Sequence, residues 1–338
     1  TFCGGCMVGC RFNAKNTLDK NYLHLAEDLG ADIRPDSEVV AIEPVGAADG
    51  SEGYRVTWRS PRSPFGRKRS ATTRGIVLAG GVLGTVPLLL KLKRSSLTRL
   101  SDKVGAHVRT NSESLIGVTA LDRTTVFSDG VAISSIVHFN EHSHLEPVRY
   151  PAGSGFWRIL GSPFAQGRNF FERIGGALLE LLRHPVRNLR SIFVDDWAKR
   201  TQILLFMRTL DSTLRLDRGI LGVGTATENG PAPTTFVPEA REVTLRYATI
   251  VKGNPMALLT ETVFGIPTTA HILGGAVMGK DAAEGVIDKD NRIFGYENMY
   301  ICDGSMISAN PGVNPSLTIT ALSERAMSRI PAKQPGDR

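Results

Sequence analysis

His271-Ile-Leu-Gly274-Gly275-Ala-Val-Met-Gly279, then Asn298-Met-Tyr-Ile-Cys-Asp303-Gly304-Ser305, then Gly312-Val-Asn314-Pro315-Ser316 together place a proton acceptor, a close backbone approach and a helix start in one order along the chain. Asn is a favoured helix cap and Pro suits a first helical position, so a helix is predicted with Asn314 as its cap and Pro315 as its first residue. Ile319, Leu322, Ala326 and Ile330 recur at three- and four-residue steps and supply its buried stripe. The start of such a helix carries N–H groups without intrahelical partners and about half a positive charge, which favours an anion or an electron-rich carbonyl. An ordinary capped C-terminal helix is the plain alternative.

A reduced flavin gains negative charge at its N1/C2=O edge, and a helix start aimed there assists the reduction that alcohol oxidation requires. Gly75-Ile-Val-Leu-Ala79 reads as a buried strand that passes through Gly80, Gly81 and Gly84 into a leucine-rich helix, a turn that lets backbone approach a dinucleotide. Many α/β folds use such a turn for packing alone. Upstream, Asn21 to Leu29 reads as a helix, and Val39 to Ile42 with Tyr54 to Trp58 as strands of a small antiparallel meander.

The runs His-x-x-Gly-Gly-x-x-x-Gly, Asn298 to Ser305 and Gly-Val-Asn-Pro-x-x-Thr-Ile-Thr-Ala-Leu-x-Glu-Arg resemble the C-terminal block of the glucose-methanol-choline (GMC) oxidoreductases, and the cholesterol oxidase branch is the most similar. The resemblance extends to Asn16 through Leu23, to the stretch at Val39 and to Ile76 through Thr85, and fades between about 113 and 267. It implies an α/β (α+β) fold, a FAD-binding Rossmann-like domain interrupted by an antiparallel-sheet substrate domain. The implied division is 1–112 for the first FAD-binding part, 113–267 for substrate and 268–338 for the C-terminal FAD-binding block. The family's opening G-x-G-x-x-G unit does not precede Thr1, so the chain reads as an N-terminally truncated portion of a longer enzyme, and a signal peptide stays open.

The resemblance implies FAD as cofactor and assigns roles to particular residues. His271 would accept the alcohol proton and Asn314 would orient the substrate oxygen. Val39, Gly80, Gly81, Gly84, Asn111, Asp303, Gly304, Pro315 and Ser316 would line the cofactor. Glu146, spaced from Pro151-Ala-Gly as in cholesterol oxidases, would be the carboxylate that moves a proton during double-bond migration in a 3-ketosteroid; a solvated loop glutamate is the other reading. The implied activity is oxidation of a hydrophobic secondary alcohol such as a 3-hydroxysteroid, with a long-chain or terpenoid alcohol as the alternative substrate.

Other features bound the choices. The net charge of +7 comes without a Lys/Arg block interleaved with aromatics, so nucleic acid is not an expected partner. No apolar run approaches a membrane span. Ile174 to Leu182 and Ile192 to Phe206 read as apolar helical stretches broken at Pro185 and studded with arginines, which suits either peripheral contact with an anionic membrane or a core-facing helix with a solvated side. The expected location is the cytoplasm, with membrane association open. Cys3, Cys6 and Cys10 suggest either an iron–sulfur electron-transfer or zinc site or reduced thiols in a tight loop. His138, His142 and His144 suggest either a metal site or a polar pocket wall. The stretches at 59–69 and around Pro231 to Pro238 read as polar loops.

Overall fold

The computed structural model describes residues 1–332 apart from 64, 211, 220, 221, 231, 232 and 268, so the loop expected at Pro231 begins outside the described residues. In chain order the elements are α1 (Tyr22–Asp28), β1 (Glu38–Pro44), β2 (Tyr54–Arg59), β3 (Arg69–Thr73), β4 (Ile76–Leu78), α2 (Val82–Lys93), β5 (Ser114–Ala120), β6 (Val137–Asn140), β7 (Ser143–Val148) and β8 (Gly161–Pro163). They continue with α3 (Phe170–Arg183), α4 (Pro185–Ile192), α5 (Trp197–Arg200), β9 (Thr201–Arg208), β10 (Thr213–Gly219), β11 (Gly222–Asn229), α6 (Pro238–Ile250), β12 (Gly253–Leu258), α7 (Leu259–Phe264), β13 (Met299–Ile301) and α8 (Ser316–Met327).

Two compact units result. One gathers 1–31, 112–210 and 233–270; the other gathers 32–111, 211–232 and 271 onward. The amino-terminal 31 residues thus group with the middle of the chain, and the β10–β11 hairpin groups with the carboxyl end, unlike the division drawn from sequence.

The first unit is built on a six-stranded sheet in the order β6-β7-β9-β5-β12-β8, with every pairing antiparallel. Its central strand corrects the sequence reading of 192–206 as helix. Within β9, Ile203–Met207 is a short, continuous apolar run almost wholly buried on both faces, which periodicity cannot separate from a buried helix. The interruption expected at Pro185 is present: α3 ends at Arg183 and Pro185 opens α4, where its missing N–H costs nothing at a first position. One sheet face packs Ile116, Val118, Leu204 and Phe206 against α6 through Ala240. Because side chains alternate across a strand, Leu115, His144, Glu146, Ile203, Leu205 and Met207 share the opposite face.

The second unit carries the expected meander, β1-β2-β3, antiparallel throughout. It also holds a parallel pair, β4 with β13. Its core joins Val86 and Leu89 of α2 to Leu273, Ile287, Ile301 and Met306, with Ile319 and Leu322 of α8 packed alongside. Burial of β4 is less complete than the sequence suggested: Leu78 is buried but Val77 is exposed, because β4 has a strand neighbour on one side alone among the described residues.

Candidate active site

In the second unit the segment from His271 to Val277 runs between two others. Arg109 and Leu273 exchange N–H···O bonds of 2.7 and 2.9 Å, and the Gly105 N–H donates to Gly275 at 2.8 Å. On the other flank the Gly274 N–H donates to the Gly304 carbonyl and the Ala276 N–H to the Ser305 carbonyl, both at 3.0 Å. This squeeze explains the glycine pair. A Cβ on Gly274, at φ +79°, would lie 2.1 Å from the His107 carbonyl oxygen, and one on Gly275 would lie 2.7 Å from Val86.

The antiparallel bridge Arg109–Leu273 carries the register outward to Asn111 opposite His271. Asn111 is buried, and its Nδ2 donates to the Val313 carbonyl at 3.0 Å, fixing the residue just before Asn314. The Arg109–Leu273 bridge and the Asn111–Val313 bond thus tether the three segments that carry His271, Asn111 and Asn314. His271 and Asn314 are both half-buried.

Asp303 organises the glycine turn. Its Oδ2 accepts the Gly81 N–H at 2.9 Å and the Thr85 hydroxyl at 2.5 Å, while Oδ1 accepts the Ser305 N–H at 2.8 Å and the Ser305 hydroxyl at 2.5 Å. The Thr85 hydroxyl also accepts the Gly80 N–H at 3.1 Å. The carboxylate is thus engaged in holding Gly80, Gly81 and Gly304 in place. Gly304 is needed for space, since its Cβ would sit 3.3 Å from the Ile272 carbonyl oxygen. Gly81 and Gly84 differ: a Cβ at either would meet no atom within 4 Å, leaving an open approach at the start of α2. Gly84 lies inside the first turn of α2 rather than in the loop before it. Val39 sits elsewhere. The neighbouring Val40 carbonyl accepts Lys91 Nζ at 2.6 Å, which puts β1 beside the far half of α2, about 10 Å along the axis from Gly84.

The last helix starts one residue later than the sequence indicated. Ser316 is its first residue, Pro315 occupies the cap position, and no side chain caps it, so Asn314 precedes the helix instead of capping it. Pro315, with φ −86° and ψ −4°, is itself near-helical, and its carbonyl accepts the Ile319 N–H at 2.9 Å. The first-turn N–H groups are left without a side-chain cap. Those donors, together with the open side of Gly81 and Gly84, fit a ligand that combines an electron-rich ring edge with a dinucleotide tail.

In the first unit Glu146 is 6% exposed, on the sheet face opposite α6 and paired in register with Leu205. Its Oε1 lies 3.9 Å from Nε2 of His144, also buried, and burial together with the nearby His138 ring holds the His144 imidazole below its ordinary pKa. The same face carries Leu115, Ile203 and Met256 into an apolar cavity of about 220 Å³ walled by Tyr150, Trp157 and Leu258. His142 is exposed in the β6–β7 turn, apart from buried His144. Among the described residues no group of three His, Cys, Asp or Glu is placed to hold a metal ion, so neither the three histidines nor Cys3, Cys6 and Cys10 supply a ligand set there. The cysteine loop is held by backbone instead: the Gly4 N–H donates to Gly130 at 2.8 Å, and Cys10 Sγ accepts the Ala14 N–H at 3.2 Å.

Sequence reasoning missed Thr85 and Glu113. Glu113, 2% exposed, accepts the Ala270 N–H at 2.8 Å and so fixes the residue before His271. Thr85 had a signal in its place directly after the third glycine; Glu113 had none.

A glycine turn feeding a helix in one unit, and an antiparallel sheet with an apolar cavity in the other, define a mixed α/β scaffold. The affiliation is narrower than that. Residues 195–323 match the family described as GMC oxidoreductase. The chain is 42% identical over 341 residues to a cholesterol oxidase of Acinetobacter baumannii, covering 98% of this chain and 61% of that protein. It is 39% identical over 348 residues to a cholesterol oxidase of Mycobacterium tuberculosis (strain ATCC 25618 / H37Rv), covering 99% and 60%. In fold it is similar to an FAD-dependent oxidoreductase from Chaetomium thermophilum, with a TM-score of 0.53 at 14% identity over 92% of this chain and 63% of that one. The GMC oxidoreductase match thus falls on the carboxyl-terminal part of the chain, and the similarity to the two cholesterol oxidases runs along nearly all of it. It spans about three fifths of the length of those cholesterol oxidases.

Proposed function

We propose that the protein oxidises the CH–OH group of a hydrophobic secondary alcohol, a 3-hydroxysteroid such as cholesterol, with FAD. The observation that carries this reading is the pair of tethers, Arg109–Leu273 and Asn111–Val313, that join the segments bearing His271 and Asn314 in one unit ahead of a helix start without a side-chain cap. The match to the GMC oxidoreductase family supports FAD, and the resemblance to two cholesterol oxidases supports a sterol.

Gly80, Gly81 and Gly84 would give the cofactor a close backbone approach, with Asp303 and Gly304 holding that turn, Val39 on β1 beside the far half of α2, and Asn111, Pro315 and Ser316 near the ring. Bound FAD supplies the hydride acceptor at N5. His271 takes the proton of the alcohol O–H, and an imidazole is suited to this because its ordinary pKa lies near neutrality. Asn314 donates to the substrate oxygen and fixes the direction of the C–H bond. Glu146, on the same sheet face as the apolar cavity, takes and returns a proton when a ring double bond migrates. The reading is tested by adding a 3-hydroxysteroid to the flavin-loaded protein without oxygen. The flavin band bleaches, and His271→Ala slows bleaching by roughly 10²- to 10⁴-fold with the oxidised spectrum intact. A protein that binds flavin but does not bleach with the steroid refutes it.

A further inference from the structure

Two helices of the first unit are amphipathic with the wrong side out. In α3 the buried positions are Arg173, whose Nε donates to the Thr262 carbonyl at 3.1 Å, and Ala177, while Phe171 and Leu182 stand 83% and 79% exposed. In α4 the buried side chains are Asn188 and Ser191, both held by Asn254 Nδ2 at 3.2 and 2.9 Å, while Val186 and Leu189 are exposed and Phe193 at its end is 75% exposed. A helix packed for its own unit would bury the apolar stripe and expose the charges. A contiguous exposed apolar surface of this kind marks a contact that the unit itself does not make.

We propose that the outward faces of α3 and α4 dock on an anionic lipid bilayer. The charge around the patch argues for lipid: Arg183 and Arg190 are exposed beside it, and Arg158 joins it by donating from Nη1 to the Ile192 carbonyl at 3.0 Å. Apolar side chains ringed by arginines are the composition of a helix lying in a headgroup layer. Among the described residues no helix is long and apolar enough to cross a membrane, so the contact is with a surface. The patch is also continuous with the apolar interior. Leu181 and Ile192 line a small cavity together with Trp197 and Met256, and those last two also wall the larger cavity beside the sheet. A lipophilic molecule leaving the leaflet therefore meets a mixed wall, in which Leu181, Ile192, Trp197 and Met256 alternate with Asn188, Ser191 and Asn254, before the apolar cavity beside the sheet; only the identity of that cargo rests on the proposed sterol oxidation.

The test is sedimentation of the holoprotein, without substrate, with phosphatidylcholine vesicles and with vesicles that also contain phosphatidylglycerol. Binding is expected to the second, to weaken with salt, and to fall at least tenfold both in Leu182→Ser/Phe193→Ser and in Arg183→Glu/Arg190→Glu, with circular dichroism and flavin spectrum unchanged. Leu182→Cys is expected to react in solution with a water-soluble maleimide as fast as an open thiol. Absence of vesicle binding, binding indifferent to both double variants, a buried Cys at 182, or a dimer that the apolar double variant dissociates each overturns the proposal. Because no turnover is measured, failure here is separate from failure of the proposed oxidation.

Discussion

Nδ2 of Asn111 donates to the carbonyl of Val313 at 3.0 Å, so the backbone entering α8 is tied to the strand position opposite His271. Removing that donor frees the loop that sets Asn314. Asn111→Ala is expected to lower kcat about tenfold, since a misplacement near 1 Å costs one to two orders of magnitude, and to cost about 1–2 kcal/mol of stability from the lost buried hydrogen bond. Steady-state kinetics with a melting curve check this. Unchanged kcat at reduced stability would make Asn111 purely structural.

Asp303 gives the opposite division. Its carboxylate receives four donors in a site 6% exposed, so Asp303→Ala leaves the Gly81 and Ser305 N–H groups and two hydroxyls without their acceptor. A loss of roughly 3 kcal/mol or more is expected in urea unfolding, with flavin retention impaired because the turn at Gly80 and Gly81 loosens. Thr85→Val removes one donor and is expected to cost about 1 kcal/mol. Equal losses in the two variants would show that the carboxylate is not the hub.

Much of the second unit was legible because its sequence signals are local. The glycines at 274 and 275 announced a crowded backbone, and the structure gives the crowding atoms, His107 O and Val86. The meander read correctly from alternation, and α1 from Asn21, whose side chain caps it. The misreadings share a cause: they depend on what a segment packs against. Ile203–Met207 is apolar whether helix or strand, and only its neighbours β5 and β7 make it a strand. The start of α8 slipped by one residue because Pro315 is compatible with either position. Glu113 was invisible, since a carboxylate that holds the backbone of Ala270 from 157 residues away leaves no local pattern.

Glu146 offers a test of whether the proposed oxidation and isomerisation use separate proton-transfer groups. It lies on a different strand, and in a different unit, from His271. Glu146→Gln keeps the shape and removes the base. Oxidation of a 3-hydroxy-5-ene steroid is expected to persist within about threefold, whereas formation of the conjugated enone falls at least a hundredfold. Anaerobic flavin bleaching reports the first step and ultraviolet absorbance the second. Equal loss of both rates would remove Glu146 from a separate proton-transfer role.

Cys302 is expected to titrate apart from Cys3 and Cys10. Burial, with Asp303 alongside, pushes the half-buried Cys302 thiol up to about 11, while hydrogen bonds from the Thr1 hydroxyl and the Ala14 N–H lower Cys3 and Cys10. Alkylation follows the thiolate fraction, so near pH 8 Cys3 and Cys10 react first and Cys302 last, with the Cys302 rate still climbing toward pH 11. The same shift has a stability sign. A thiol whose folded pKa is raised favours the folded state fully below its unfolded value, about 8.5, and loses that contribution as pH rises toward 11. Melting curves of the parent and of Cys302→Ala between pH 8 and 11 check it: the parent loses more stability with rising pH. Parallel curves, with Cys302 alkylated as early as Cys10, would place that thiol in an ordinary aqueous environment.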